Sequence, residues 1–198
     1  MPNRGWAMAA LLLLAACGPE EATVRPNPAN RKPDYFDVKV LLDGQVARLN
    51  QQQPVVEKRV QLRNGNTETT RVTKTDWSKE LQVFYQADIN KPALRGAYSK
   101  SVSASYNTPD GVSTYKLKPS TEAPVALLVI GNAAATATAS PTQELAAVIR
   151  QDNPLFYSQK RLRLSIINDQ LAEYSVQGVQ KLVLFDTVRY SVRVKVVR

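Results

Sequence analysis

The sequence contains no histidine, and its single cysteine is Cys17. Without imidazole or a second thiol, the Ser-His-Asp and Cys-His arrangements, the usual zinc ligand sets and haem ligation are excluded. No intramolecular disulfide can form either, so stability must come from packing. Glycine is sparse, 8 in 198 residues, and Gly65, Gly96, Gly111, Gly131 and Gly178 stand alone, so there is no glycine-rich phosphate loop. The longest apolar run, near the N-terminus, falls short of the roughly 18 residues a membrane-spanning helix needs. A lysine-activated serine or a carboxylate pair remains chemically open. The candidate acids Asp76, Asp88, Asp110, Glu144, Asp152, Asp169, Glu173 and Asp186 mostly fall at expected caps and turns, however. No catalytic, cofactor-binding or metal-ligating residue is therefore assigned, and the chain is expected not to be an enzyme and to need no cofactor.

What is present begins with MPNRGWAMAALLLLAAC: one basic residue (Arg4), an apolar run from Trp6 to Leu14, then Ala15 and Ala16 directly before Cys17. Basic, apolar and small-residue segments in that order make a secretory signal over residues 1–16. Leu14-Ala15-Ala16-Cys17 resembles the lipobox of bacterial lipoproteins. That resemblance implies cleavage before Cys17 and lipidation of its sulfur, which anchors the mature chain to a membrane. Each buried CH₂ contributes about 0.8 kcal/mol, so two or three acyl chains hold almost irreversibly. Gly18 stands where enterobacterial lipoproteins retained at the inner membrane carry Asp, which favours the outer membrane. Glu20 and Glu21 resemble, weakly, the acidic export signal of surface lipoproteins in the Bacteroidota. Which face of the outer membrane the domain occupies stays open.

Residues 17–33 hold the lipidated cysteine and a tether in which Pro19, Pro26, Pro28 and Pro33 stand among polar residues, a composition with almost nothing to bury. Residues 34–198 are long enough for a single domain. Acidic residues are in deficit. Removing Arg4 leaves 25 basic against 17 acidic residues, a net of +8, with local groups at Lys160, Arg161 and Arg163 and at Arg189, Arg193, Lys195 and Arg198. Such a balance suits phospholipid head groups, phosphates or acidic polysaccharides of the envelope. No nucleic-acid-binding motif is present, so nucleic acid is not expected as a partner.

Asp34 is a candidate N-cap for an amphipathic helix over 35–50, with Tyr35, Val38, Leu41, Leu42, Val46 and Leu49 spaced by three and four. VVEKRVQLR (55–63) and a Thr-rich run (67–75) flank Asn64-Gly65, a strong hairpin signal. Asp76 can cap a second helix carrying Trp77, Leu81, Phe84, Tyr85 and Ile89, which are expected to pack in the core. From Tyr98 the period becomes two, with Tyr98, Val102, Ala104 and Tyr106 expected on the buried face. A turn follows at Asn107 to Gly111, then strands over 112–118 and 124–130, broken at Gly131-Asn132. Residues 141–151 suit either helix or strand, the strand being preferred. Strands over 155–167 and 174–185 follow, with a turn at Asn168-Asp169. Val188, Tyr190, Val192, Val194 and Val196 alternating with polar residues form the clearest strand. The fold class expected is α+β, predominantly antiparallel β: a curved sheet or half-barrel packed by one or two N-terminal helices.

DWSKELQVFYQADINKP (76–92), placed after an early hairpin and before a β-rich stretch, resembles uncharacterised lipoproteins of the Bacteroidota. The shared residues serve packing and turns and imply an address, not an activity. Two functions remain open. One is a membrane-anchored, non-enzymatic envelope lipoprotein acting as accessory or scaffold, holding a partner by a sheet face or edge. The other is a lipid or hydrophobic-ligand binding module, since a curved sheet on helices looks like the half-barrel of lipoprotein-localisation carriers. A cavity lined by Val125, Leu127 and Leu184 would favour the ligand; a core filled by Trp77, Phe84 and Phe156 would favour the scaffold.

Overall fold

The computed structural model describes residues 34–61, 65–105, 108–134, 136 and 140–197. The expected signal, Cys17, the tether and the Asn64 position of the hairpin turn lie outside them. The described residues form an α+β fold dominated by an open, wholly antiparallel nine-stranded sheet. Helix α1 (Val38–Gln52) leads into β1 (Val55–Gln61) and β2 (Thr67–Val72). A short helix α2 (Trp77–Glu80) and two 3₁₀ turns (Gln82–Ala87 and Pro92–Leu94) follow. Seven strands then run as a continuous meander: β3 (Tyr98–Ser105), β4 (Thr108–Leu117), β5 (Val125–Ala133), β6 (Thr142–Asn153), β7 (Phe156–Ile167), β8 (Gln170–Leu182) and β9 (Val188–Val197). Spatial order is β2-β1-β9-β8-β7-β6-β5-β4-β3, so the edge strands β2 and β3 do not meet and the sheet is not closed. Among the described residues no helix is long and apolar enough to cross a membrane.

The alternation of side chains along each strand puts one face against the helices. Val192, Val176, Leu162, Ala147, Leu128 and Tyr115 lie opposite one another in a single row across six strands. The next row holds Val194, Tyr174, Leu164, Leu145 and Ile130. Onto these rows pack Val38, Leu42 and Leu49 of α1, with Trp77, Leu81, Phe84, Ala87 and Ile89, all buried. Trp77 and Phe84 therefore fill the space the sequence left open between core and cavity. Of the residues expected to line a cavity, Val125 is core, Leu127 is half-buried on the opposite face and Leu184 is exposed. Phe156, expected in the core, is only half-buried, because it opens β7 at the rim.

Several sequence-based boundaries move. The cap of α1 is Asp37, whose carboxylate accepts from the Val40 amide, while Asp34 pairs with Arg95 instead. Asp76 does cap its helix, accepting from the Lys79 amide, but the α-helix stops after one turn and continues as 3₁₀. With three residues per turn, Leu81, Phe84 and Ala87 fall on one line and all reach the core, which a 3.6-residue period would not achieve. Among the described side chains of β3 only Tyr98 is covered; Val102 and Ala104 are exposed because the edge strand runs out past the helices. The side chain of Tyr106 lies outside the described residues. The turn expected through Gly111 is mostly strand, as β4 already begins at Thr108. Gly111 adopts φ 72° where an added Cβ would stand 3.0 Å from the Ser103 carbonyl oxygen, so glycine lets β4 bulge against β3. Pairing of β5 continues through Gly131 and Asn132 to Ala133. The 141–151 stretch is strand, and Asn168 and Asp169 both take positive φ in the tight β7–β8 turn.

Two polar clamps fix helices on sheet. The buried Gln45 of α1 donates to the Asp169 carbonyl at 3.0 Å and accepts from the Leu171 amide at 2.9 Å, while Arg48 donates to the same carbonyl. At the end of α2, Glu80 accepts from Lys58 at 2.7 Å and from the Tyr174 hydroxyl. The Tyr174 ring stands edge-on to Phe84, 5.5 Å between centroids.

Candidate binding surface

The helices cover one face of the sheet, and the other faces solvent. Register assigns its residues. Arg163 on β7 lies opposite Ser175, Ser175 opposite Arg193, and Arg193 opposite Arg59 of β1. Two residues along, Arg161, Gln177, Ser191 and Gln61 form a parallel row, and beyond it come Gln159, Val179 and Arg189. Five arginines thus share one exposed area. The described arginines of the sequence groups around 160 and 190 are brought together here, while Lys195 stands opposite Glu57 and Glu173. Lys160 points to the helix side and donates to Gln86. Arg198 lies outside the described residues.

Ion pairs among the described residues are formed elsewhere: Lys39 with Asp43, Lys58 with Glu80, Lys79 with Asp76 and Arg95 with Asp34. None of the five arginines pairs with a carboxylate there. Arg59 and Arg193 even face one another across the β1–β9 ladder, an arrangement that costs stability. Neighbouring guanidinium forks without carboxylate partners among the described residues are suited to oxyanions, which they bind through two parallel hydrogen bonds.

Between these rows lies a cleft of about 640 Å³, lined chiefly by Gln61, Gln159, Arg161, Gln177, Arg189 and Ser191. Its floor includes the backbone of Gly178; on the helix side of the sheet, in the row of Lys160, the Tyr190 ring lies so close to this residue that an added Cβ would stand 2.1 Å from the ring's Cζ. Two cations, three amides and a hydroxyl can grip phosphate, carboxylate or sugar hydroxyls. No acid, thiol or imidazole is among the described residues lining the cleft, so it lacks a base to activate Ser191.

The acids singled out in the sequence do not converge. Asp76 is a cap, and its hydrogen bonds from Lys79 hold its carboxyl below the usual range. Asp88 accepts from the Asn90 amide, and Asp169 serves through its carbonyl. Glu144 and Asp152 lie near opposite ends of β6, and Glu173 lies on β8. Asp186 sits in the β8–β9 turn, and the side chain of Asp110 lies outside the described residues. Among the described residues no group of three potential ligands could hold a metal ion. At Glu80, burial opposes ionisation, but hydrogen bonds from Lys58 and Tyr174 and the charge of Lys58 outweigh it and lower the carboxyl's pKa. Burial and the same carboxylate push the Tyr174 hydroxyl upward. These shifts describe a clamp between helix and sheet.

The arginine face was only half visible in the sequence. The spacing of Arg161 with Arg163, and of Arg189 with Arg193, puts each pair on one side of a strand. That β7 and β9 turn the same side outward depends on β8 lying between them. No protein-family model matches the chain, and no curated protein or solved structure matches it either.

Proposed function

We propose that the chain is a non-enzymatic envelope lipoprotein, held to the outer membrane through lipidated Cys17, that acts as an accessory or scaffold by binding an anionic envelope component. The observation that carries this reading is the arginine face with its polar cleft, where five guanidinium groups lack carboxylate partners among the described residues. The filled helix side of the sheet supports it over a carrier of hydrophobic ligands, because Trp77 and Phe84 stand where such a ligand would.

Two experiments test the two parts. Metabolic labelling with a fatty-acid probe should mark the wild-type chain and not Cys17→Ser, which should also leave the membrane fraction; equal labelling would remove the anchor. Calorimetric titration of a chain beginning at Gly18 with polygalacturonate, a simple polyanion, should show binding that weakens with salt. Arg161→Ala with Arg189→Ala should weaken it about tenfold or more, since each charged hydrogen bond contributes about 1.5–3 kcal/mol. Unchanged affinity in that variant would refute the assignment of the cleft.

A further inference from the structure

The rim of the sheet carries a feature the arginine face does not explain. The β6–β7 and β8–β9 turns lie side by side, tied by the Val183 amide donating to the Leu155 carbonyl at 3.2 Å. Together they expose Leu155 (72%), Leu182 (49%), Val183 (59%), Leu184 (89%) and Phe185 (70%). Scattered exposed apolar residues are ordinary. Five large ones at two adjoining hairpin tips form a contiguous patch, four of them consecutive, and such a patch marks a contact surface.

Where the chain enters the domain indicates what covers it. Tyr35 packs edge-on against Tyr98 and Tyr115 and accepts the Tyr98 amide at its hydroxyl. Tyr98 opens β3, and its own hydroxyl donates to the Val125 carbonyl at the start of β5. From there the Arg150 amide reaches the Pro124 carbonyl close to the end of β6. The domain's first residues and the apolar tips therefore share one rim of the sheet. Only 16 residues separate Cys17 from Asp34, a length that spans at most about 55 Å.

We infer that the Leu155 and Leu182-to-Phe185 tips insert into the interfacial region of a phospholipid bilayer and hold this rim against the membrane. Lys181 and Arg189 bracket the longer tip, with Asp186 inside it, and the net charge of +8 left after Arg4 is removed favours a surface containing anionic lipid. The tether argument rests on Cys17 being the anchor; the exposed tips do not.

The test uses the chain beginning at Gly18, which lacks Cys17 but keeps the whole core, built from residue 35 onward. Its outcome is therefore independent of lipidation, which fatty-acid labelling reads separately. With vesicles of phosphatidylcholine and phosphatidylglycerol it should co-sediment, and Leu184→Trp should add an emission component that shifts to the blue on binding. Leu184→Asp with Phe185→Asp should lower vesicle binding at least tenfold without moving the melting temperature, as both residues are exposed. Failure of the wild-type chain to bind, equal binding by the variant, or no blue shift would overturn the inference. So would self-association that buries the patch and is abolished by the variant.

Discussion

Trp77→Ala gives the sharpest test of how the helices are held. Trp77 follows the Asp76 cap and is completely buried between α2 and the sheet, in the cluster with Leu81 and Phe84. A buried aromatic side chain removes about 150–250 Å² from water, which at roughly 25 cal/mol per Å² is about 4–6 kcal/mol. Partial relaxation around the cavity brings the expected loss to about 3–5 kcal/mol. Against a total of about 5–15 kcal/mol, that is a large share. The indole N–H finds no acceptor among the described residues. Burying an unpaired donor costs about 1–3 kcal/mol, so Trp77→Phe, which removes the donor and keeps a ring, should lose less than half as much as Ala. Urea titration of the chain from Gly18 measures both. With a slope of about 2 kcal/mol per M, the Ala midpoint should fall by about 1.5–2.5 M. An Ala shift worth less than about 1 kcal/mol would refute the anchoring role, and Phe as damaging as Ala would refute the unpaired donor.

Glu80→Gln should destabilise by about 1–3 kcal/mol at neutral pH, since it breaks a clamp to Lys58 and Tyr174. Because the carboxyl's pKa is lowered by folding, that advantage exists above the unfolded value near about 4.3 and disappears as the pH falls through the folded value; a pH-independent gap between the two proteins would contradict the clamp. Gln45→Ala should leave the Leu171 amide buried without an acceptor, costing about 1–3 kcal/mol, and hydrogen exchange at that amide should accelerate; unchanged protection would refute it. Gly178→Ala should destabilise by driving a methyl into the Tyr190 ring, and Tyr190→Ala in the same chain should recover part of the loss, giving a coupling of about 1 kcal/mol in a double-mutant cycle. Additive effects would show that the ring does not rest on Gly178.

The C-terminal strands were legible because Val188 to Val196 and Leu162 to Ile166 alternate with polar residues, and a period of two needs no distant information. The hairpin at Gly65 and the tight turn at Asn168-Asp169 were legible from turn chemistry alone. The 3₁₀ segment was not, since spacings of three and four in 77–89 fit both helix types until the sheet selects which side chains go inward. Leu182 to Phe185 misled for the opposite reason: an apolar run ending a strand pattern reads as more strand, but β8 ends at Leu182 and the described residues leave the run exposed beside the β6–β7 turn. The arginine face required the register of β7, β8, β9 and β1, which joins residues more than a hundred positions apart.

That same register imposes an order on assembly. The β1–β2 hairpin is made before the meander, yet its inner strand completes its hydrogen bonds only on β9, the last of the described strands. Until β9 arrives, Val55 to Gln61 offers a bare edge to any extended chain nearby. The meander β3 to β8 can zip up locally, each strand finding the one before it, but the contacts that join β1 to β9 span most of the domain and must await loop closure. A chain stopped before Val188 would keep most of its sheet and lose the strand that joins its two parts. Nascent chains of this protein are therefore most exposed to aggregation while β1 still waits for β9.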